Sequence, residues 1–225
     1  MMFMAGCKPW CDLTDADLAG YRAYSNLSNY CDIALERPCL PITLLRHPLY
    51  RAASLYRLAK RLSSHHYHAL AVESDLETFY KIASNRSPTY FQNLQTNRIC
   101  GHPDAELALE YIRSRYLLVG FTDRHGDFVR ELSKIFNWSS INIVSKPPDC
   151  ERYRDSIGPR LRDLILSQNE EDLILFETMS KGYPAVPRRR TLAQKLVRQT
   201  IRSRKAVMHA ASSLPRYLLR FSGKG

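Results

Sequence analysis

The chain has 225 residues, 44% of them hydrophobic, and a formal net charge of +11, which suits one globular domain with an extension. The charge is unevenly placed: Thr178 to Gly225 holds twelve Lys/Arg and no Asp or Glu, leaving twenty-one bases and all twenty-two acids before it. The segment expected to fold is therefore nearly neutral, and nothing in the chain approaches the roughly 18 apolar residues of a membrane span.

Reading along the chain, Thr14 or Asp15 caps a helix expected to run to Tyr24. Pro41 to Arg46 is the first clear strand. Leu49, Ala52, Ala53, Tyr56, Ala59 and Leu62 then recur at helical spacing after Pro48, which predicts an amphipathic helix. Ser74-Asp-Leu-Glu77 reads as a capping box opening a helix to about Ser84. Pro103 is expected at the first position of a helix over 104–115, with Leu107, Leu109, Tyr111 and Ile112 as its apolar residues. The continuous apolar run Tyr116 to Phe121 predicts a strand buried on both faces. A helix over 127–137, an extended piece over 140–144, a helix opened by Asp155 or Ser156 and a shorter one capped by Asn169 complete the domain. Strands alternating with helices predict a parallel α/β sheet with its ligand at the strand C-termini, where Arg46 and the turn Thr122–Arg124 both fall.

The stretch from Ile42 to Tyr56 carries the most chemistry. Arg46 ends a strand, and Ser54 stands eight residues on near the start of the next helix. A guanidinium fork, a hydroxyl and the free N–H groups of a helix N-terminus together suit an anionic group such as phosphate. A plain strand–turn–helix corner, with Arg46 paired to a carboxylate, fits the spacing equally well.

Leu45, Arg46, Pro48, Arg51, Ser54 and Tyr56 resemble the L-R-x-P-x-x-R-x-x-S-x-Y motif of sulfotransferases that use 3′-phosphoadenosine 5′-phosphosulfate (PAPS), with His47 where that family usually has Asp. Four further segments are similar to family motifs in the same order. They are Asn93-Leu-Gln-Thr to Gly101, Val119-Gly-Phe-Thr-Asp-Arg124, Asn142-Ile-Val-Ser-Lys146, and Asn169-Glu-Glu-Asp172 with Leu175 and Phe176. The resemblance covers residues 21 to 177 and is strongest to the carbohydrate branch that includes the heparan and uronyl 2-O-sulfotransferases.

That resemblance implies a P-loop-NTPase-like parallel sheet flanked by helices, and transfer of a sulfuryl group from PAPS, as co-substrate, to a carbohydrate hydroxyl. It implies that Arg46 and Ser54 hold the 3′-phosphate and that Ser145 and Lys146 close over the nucleotide. Arg98 and Arg124 are candidates to meet an anionic acceptor, with ordinary salt bridges as the alternative.

Two departures stand out. The family's 5′-phosphosulfate loop, a strand followed by P-K-x-x-[ST]-[ST], has no evident counterpart in the 45 residues before Arg46. The nearest lysine, Lys8, has neither a hydrophobic strand before it nor hydroxyl residues just after it, so the α/β domain is expected to be N-terminally incomplete. Such a loop neutralises charge on the transferring group. The second departure is Asn26, which occupies the position of the family's general-base histidine; an amide cannot take a proton. The catalytic base is thus unassigned, with His47, His65, His66 and His68 the nearby imidazoles and the last three expected at the far end of the helix after Pro48. The alternative function is a catalytically degenerate relative that binds a nucleotide or a membrane.

The expected organisation is a poorly defined segment over 1–20, the α/β domain over 21–180 and a basic helical tail over 181–225. Leu192, Leu196, Val197, Ile201 and Met208 recur among basic residues up to Pro215. Residues 188–225 suit an anionic membrane surface, a polyanionic acceptor or nucleic acid, or a solvated appendage. Without aromatic-interleaved basic strands, no specific nucleic acid is expected. The cysteines at 7, 11, 31, 39, 100 and 150 lack metal-ligand spacing, so free thiols and no metal are expected. The start carries no basic n-region, so no signal peptide is expected either. Those readings suit a cytoplasmic protein, peripheral at the inner membrane surface through its tail.

Overall fold

The computed structural model describes residues 41–136 and 157–182 in full, together with the backbone of two short strands, 2–4 and 23–25. Helices dominate these residues, and the strands form two separate two-stranded sheets, each parallel. β1 (Met2–Met4) pairs with β2 (Ala23–Ser25), Met2 opposite Ala23. β3 (Ile42–Leu45) pairs with β4 (Leu118–Phe121), Ile42 opposite Leu118 and Leu45 opposite Phe121.

Between β3 and β4 run α1 (Pro48–Arg61), α2 (His68–Glu73), α3 (Leu76–Arg86), α4 (Pro88–Phe91), α5 (Leu94–Cys100) and α6 (Ala105–Arg115). A 3-10 turn (Thr122–Arg124) leads from β4 into α7 (His125–Phe136), and α8 (Pro159–Ser167) and α9 (Glu170–Lys181) follow. Among the described residues no helix is long and apolar enough to cross a membrane.

The β3–β4 pair is sandwiched. Leu45, Val119 and Phe121 point into a core built with α5, α6 and α9, while Leu44 and Leu118 meet Phe128, Leu132 and Ile135 of α7. Successive strand residues serve opposite faces, so a strand covered on both sides must be apolar throughout, and β4 is buried along its whole length. Gly120 shares the face of Leu118, and a Cβ there would overlap the ring of Phe128; the glycine lets α7 lie directly on the strand. The second core lies under α1 and α8, where Tyr67, Phe79, Tyr80 and Phe91 pack edge to face.

Several expectations change. A strand does precede Lys8: Met2–Met4 is three residues long and lacks β-branched side chains, so composition gave no sign of it. β2 takes in Ala23 and Tyr24, so the helix expected from Thr14 cannot reach Tyr24. Asp75, not Ser74, caps α3 by accepting from Thr78 N at 2.8 Å; Ser74 is the residue that ends α2 and its hydroxyl bonds back to Leu70 O. Asp104 likewise displaces Pro103, capping α6 through Leu107 N at 2.8 Å. Leu62 ends α1, so His65 and His66 lie in the turn beyond it with rings stacked 4.7 Å apart, and His68 opens α2. α8 begins at Pro159 with Gly158 as its cap. The extended piece over 140–144, Asp155, Ser156 and the tail over 188–225 lie outside the described residues.

Candidate functional site

The ends of β3 and β4 meet at one polar contact: Arg46 Nε donates to Thr122 Oγ1 at 3.2 Å. Pro41 O accepts from Leu117 N, so along β3 the odd-numbered amide groups face β4 and the even-numbered ones face the other edge. Arg46 is even-numbered, and among the described residues no strand lies on that edge to meet its N–H and C=O. Gln95 meets them instead. Its Oε1 accepts from Arg46 N at 2.8 Å and its Nε2 donates to Arg46 O at 2.8 Å, a side-chain amide standing in for one residue of a neighbouring strand. Arg46 is thus held at its backbone and at Nε. Among the described residues its terminal guanidinium nitrogens have no hydrogen bond, and no carboxylate lies within ion-pair distance.

Gln95 is itself placed by a reciprocal pair of helix caps. Asn93, before α5, adopts a left-handed backbone with φ 45° and makes no side-chain cap to its own helix. Asp172 of α9 caps α5 instead, accepting from Gln95 N at 3.1 Å, from Thr96 N at 2.8 Å and from Thr96 Oγ1 at 3.1 Å, with a longer contact from Gln95 Nε2 at 3.4 Å. Asn93 returns the bond, its Oδ1 accepting from Asp172 N at 3.2 Å in the first turn of α9. One residue earlier, Glu171 accepts from Ala105 N at 2.7 Å and caps α6. Helix N-termini have free N–H groups and a partial positive charge; the first turn of α9 meets two of those of α5 and one of those of α6, where Asp104 meets another.

Asn169 precedes α9 as expected, but its side chain turns away from that helix. Its Oδ1 accepts from Asn93 N at 3.0 Å and from Arg51 at 2.8 Å, and its Nδ2 donates to Tyr80 Oη at 3.0 Å and Ile165 O at 2.9 Å, using its full hydrogen-bonding capacity. Arg51 also donates to the carbonyls of Tyr90 and Phe91, and its Nε lies 4.0 Å from Asp172 Oδ2. Burial pushes the Arg51 guanidinium below its usual range, and Asp172 is the first charge opposing that shift. Arg51, Asn93, Asn169 and Asp172 therefore form a buried polar knot, reached from Arg46 through Gln95.

Ser54 is half-buried in the second turn of α1, about 9 Å along the axis from Pro48 at 1.5 Å per residue, beyond the first-turn amides. It shares a face with Tyr50, Arg57 and Arg61, spaced i, i+4, i+7 and i+11. At the start of that helix His47 takes the capping role, its Nδ1 accepting from Leu49 N at 3.3 Å. The His47 ring sits 5.4 Å from those of Tyr50 and Phe176. Burial pushes the imidazole below its usual range, with Glu177 and Asp123 pulling up and Arg162 down.

Arg98 lies one turn along α5 from Gln95 and is half-buried. Among the described residues it has neither a hydrogen bond nor an ion pair, and burial and Arg51 both push its guanidinium down, with Tyr90 opposing them. The salt bridge that was the alternative reading of Arg98 is absent among these residues. Arg124 is exposed at the end of the 3-10 turn. Asn26, Ser145 and Lys146 lie outside the described residues, although β2 ends at Ser25, immediately before Asn26. No three or more metal-ligating side chains cluster among the described residues, and Cys100 is buried with its thiol pushed up by burial.

Arg46 and Thr122 are therefore brought together, and Arg98 lies on the helix that clamps Arg46. Gln95, Asp172, Asn169 and Arg51 were legible as parts of motifs but not as partners, because the sequence separations that join them reach 118 residues. Comparison with family models, with curated proteins and with solved structures returned no match.

Proposed function

We propose that this chain is a PAPS-dependent sulfotransferase of the carbohydrate type, built on a P-loop-NTPase-like sheet, that transfers a sulfuryl group to a sugar hydroxyl. The observation that carries the reading is the convergence around Arg46. Segments that separately resemble family motifs are joined by hydrogen bonds: Arg46 to Gln95, Gln95 to Asp172, Arg51 to Asn169, and Arg46 to Thr122. An arginine clamped at its backbone and Nε offers its terminal nitrogens as a fixed fork for a phosphate. On this reading Arg46 and Ser54 hold the 3′-phosphate, Ser145 and Lys146 close over the nucleotide, and Arg98 and Arg124 receive an acidic acceptor. β1 ends four residues before Lys8 and β2 immediately before Asn26, but no hydroxyl residues follow Lys8 closely, so the loop that would hold the phosphosulfate still has no counterpart before Arg46.

The test is calorimetric titration of the whole chain with adenosine 3′,5′-bisphosphate. Arg46→Ala removes a charge-assisted contact and weakens binding by roughly 2 kcal/mol, about 30-fold. An unchanged affinity sinks the assignment of Arg46.

Asn26 favours a second reading, a nucleotide-binding relative without turnover whose tail over 188–225 rests on an anionic membrane. Binding of the bisphosphate without sulfation of any acceptor in a mixed glycan panel selects it over the first.

A further inference from the structure

We propose that Gln95 is a positioning residue for Arg46, and that Asp172 acts through it to fix the direction of the Arg46 fork. The geometry is a relay of three links. The carboxylate of Asp172 holds both the backbone N–H and, more loosely, the side-chain Nε2 of Gln95. The Gln95 carboxamide holds the N–H and the C=O of Arg46. With its peptide groups tied, Arg46 leaves β3 at a fixed angle, from which Nε reaches Thr122 Oγ1.

The chemistry selects glutamine. Arg46 presents one donor and one acceptor on the edge of β3 that faces away from β4, and a primary amide is the side-chain group that meets both at once. A carboxylate would meet the donor and repel the carbonyl. A lysine or an aliphatic side chain would leave a backbone group unmet at the strand end, where such groups are nearly always paired. The amide is also placed on a helix whose own N-terminus is fixed from α9, so its position does not depend on a loop. Long arginine side chains have many rotamers, and each that is excluded before an anion arrives lowers the entropy lost on binding it.

The affinity consequence rests on the reading of Arg46 as a phosphate ligand; the positioning itself does not. The first readout is therefore ligand-free: exchange of the Arg46 Nε proton in the ¹⁵N-labelled full chain, assigned by its loss in Arg46→Lys. Gln95→Met keeps length and volume while removing both hydrogen bonds, and Gln95→Ala is the second variant; circular dichroism establishes that each is folded. The expected result is exchange faster by roughly tenfold or more in either folded variant, the size of one to two lost hydrogen bonds. Unchanged Nε exchange in a folded Gln95 variant overturns the proposal.

The second readout is affinity for adenosine 3′,5′-bisphosphate in a double-mutant cycle. Gln95→Met is expected to weaken binding about tenfold in the parent and to have no further effect in Arg46→Ala, because it acts only through Arg46. An equal loss in both backgrounds identifies a general structural role and overturns the proposal. Faster Nε exchange in a chain that binds no bisphosphate supports the positioning and refutes the nucleotide reading alone.

Discussion

Asp172→Ala is the substitution that best separates a structural polar knot from an incidental one. The side chain is 0% exposed and accepts from two N–H groups in the first turn of α5, from the Thr96 hydroxyl and, at longer range, from Gln95 Nε2. Losing a helix cap costs about 1 kcal/mol. Leaving the buried Arg51 guanidinium without its neighbouring carboxylate costs about 3 kcal/mol more. The expected loss is about 4 kcal/mol, against the roughly 5–15 kcal/mol that holds a typical domain together. For a chain of this size that lowers the melting temperature by about 8–16 °C. Urea unfolding followed by circular dichroism measures it, with Asp172→Asn as the control that retains an acceptor oxygen and loses the charge. Arg51→Met combined with Asp172→Leu should recover only part of the loss: it removes the unpaired buried charge, yet leaves the α5 amides and the carbonyls of Tyr90 and Phe91 without their partners. If Asp172→Ala unfolds within 1 kcal/mol of the parent, roughly the value of a cap alone, the pairing of Arg51 with Asp172 does not stabilise the fold.

Other outcomes follow from single contacts. Gly120→Ala forces a methyl into the ring of Phe128 and should cost about 1–3 kcal/mol; adding Phe128→Leu should return part of it, and no recovery in the double variant would place the strain elsewhere. Because His47 is held below 6.5 in the folded state, the unfolded chain takes up the proton first as pH falls. The contribution of His47 to stability is therefore fully present above about 6.5 and is lost as pH falls from there through the lower folded value. His47→Asp keeps a capping acceptor and should flatten that decline without abolishing it, since His65 is shifted in the same direction; urea midpoints on either side of pH 6.5, with an undiminished slope in the variant, would exclude His47 as its source. The loss of bisphosphate affinity in Arg46→Ala and the Nε exchange in Gln95→Met complete the set.

Local signals were legible and non-local ones were not. Pro48, the apolar spacing over 49–62 and the run over 116–121 each carry their geometry within a few residues; β3 and α1 lie where those patterns place them, while β4 takes only the last four residues of its run because Tyr116 ends α6. Caps were misplaced by a single residue where two candidate acceptors stand side by side, as Ser74 beside Asp75; only the chain's path decides which oxygen faces the free amides. Asn169 was legible as a cap by position, yet its side chain serves Asn93 and Arg51 instead. The clamp of Gln95 on Arg46 spans 49 residues, and the caps exchanged by Asn93 and Asp172 span 76 to 79; no pattern of local spacing can encode such pairs. Of the candidate site, the guanidinium could be named from sequence, while the parts that hold it could not.

The dependence of α5 and α6 on α9 also sets an order of events during synthesis. Residues 93–105 leave the ribosome well before 171 and 172, so the amides of Gln95, Thr96 and Ala105 must wait in water for acceptors made some seventy residues later, while Leu107 N has its acceptor close by in Asp104. Such distant closures are entropically costly and come late in folding. A nascent chain that stops before residue 169 would contain most of the apolar core yet lack the carboxylates that fasten it. The domain is latched from its C-terminal side, and the candidate site becomes rigid only when the last described helix arrives.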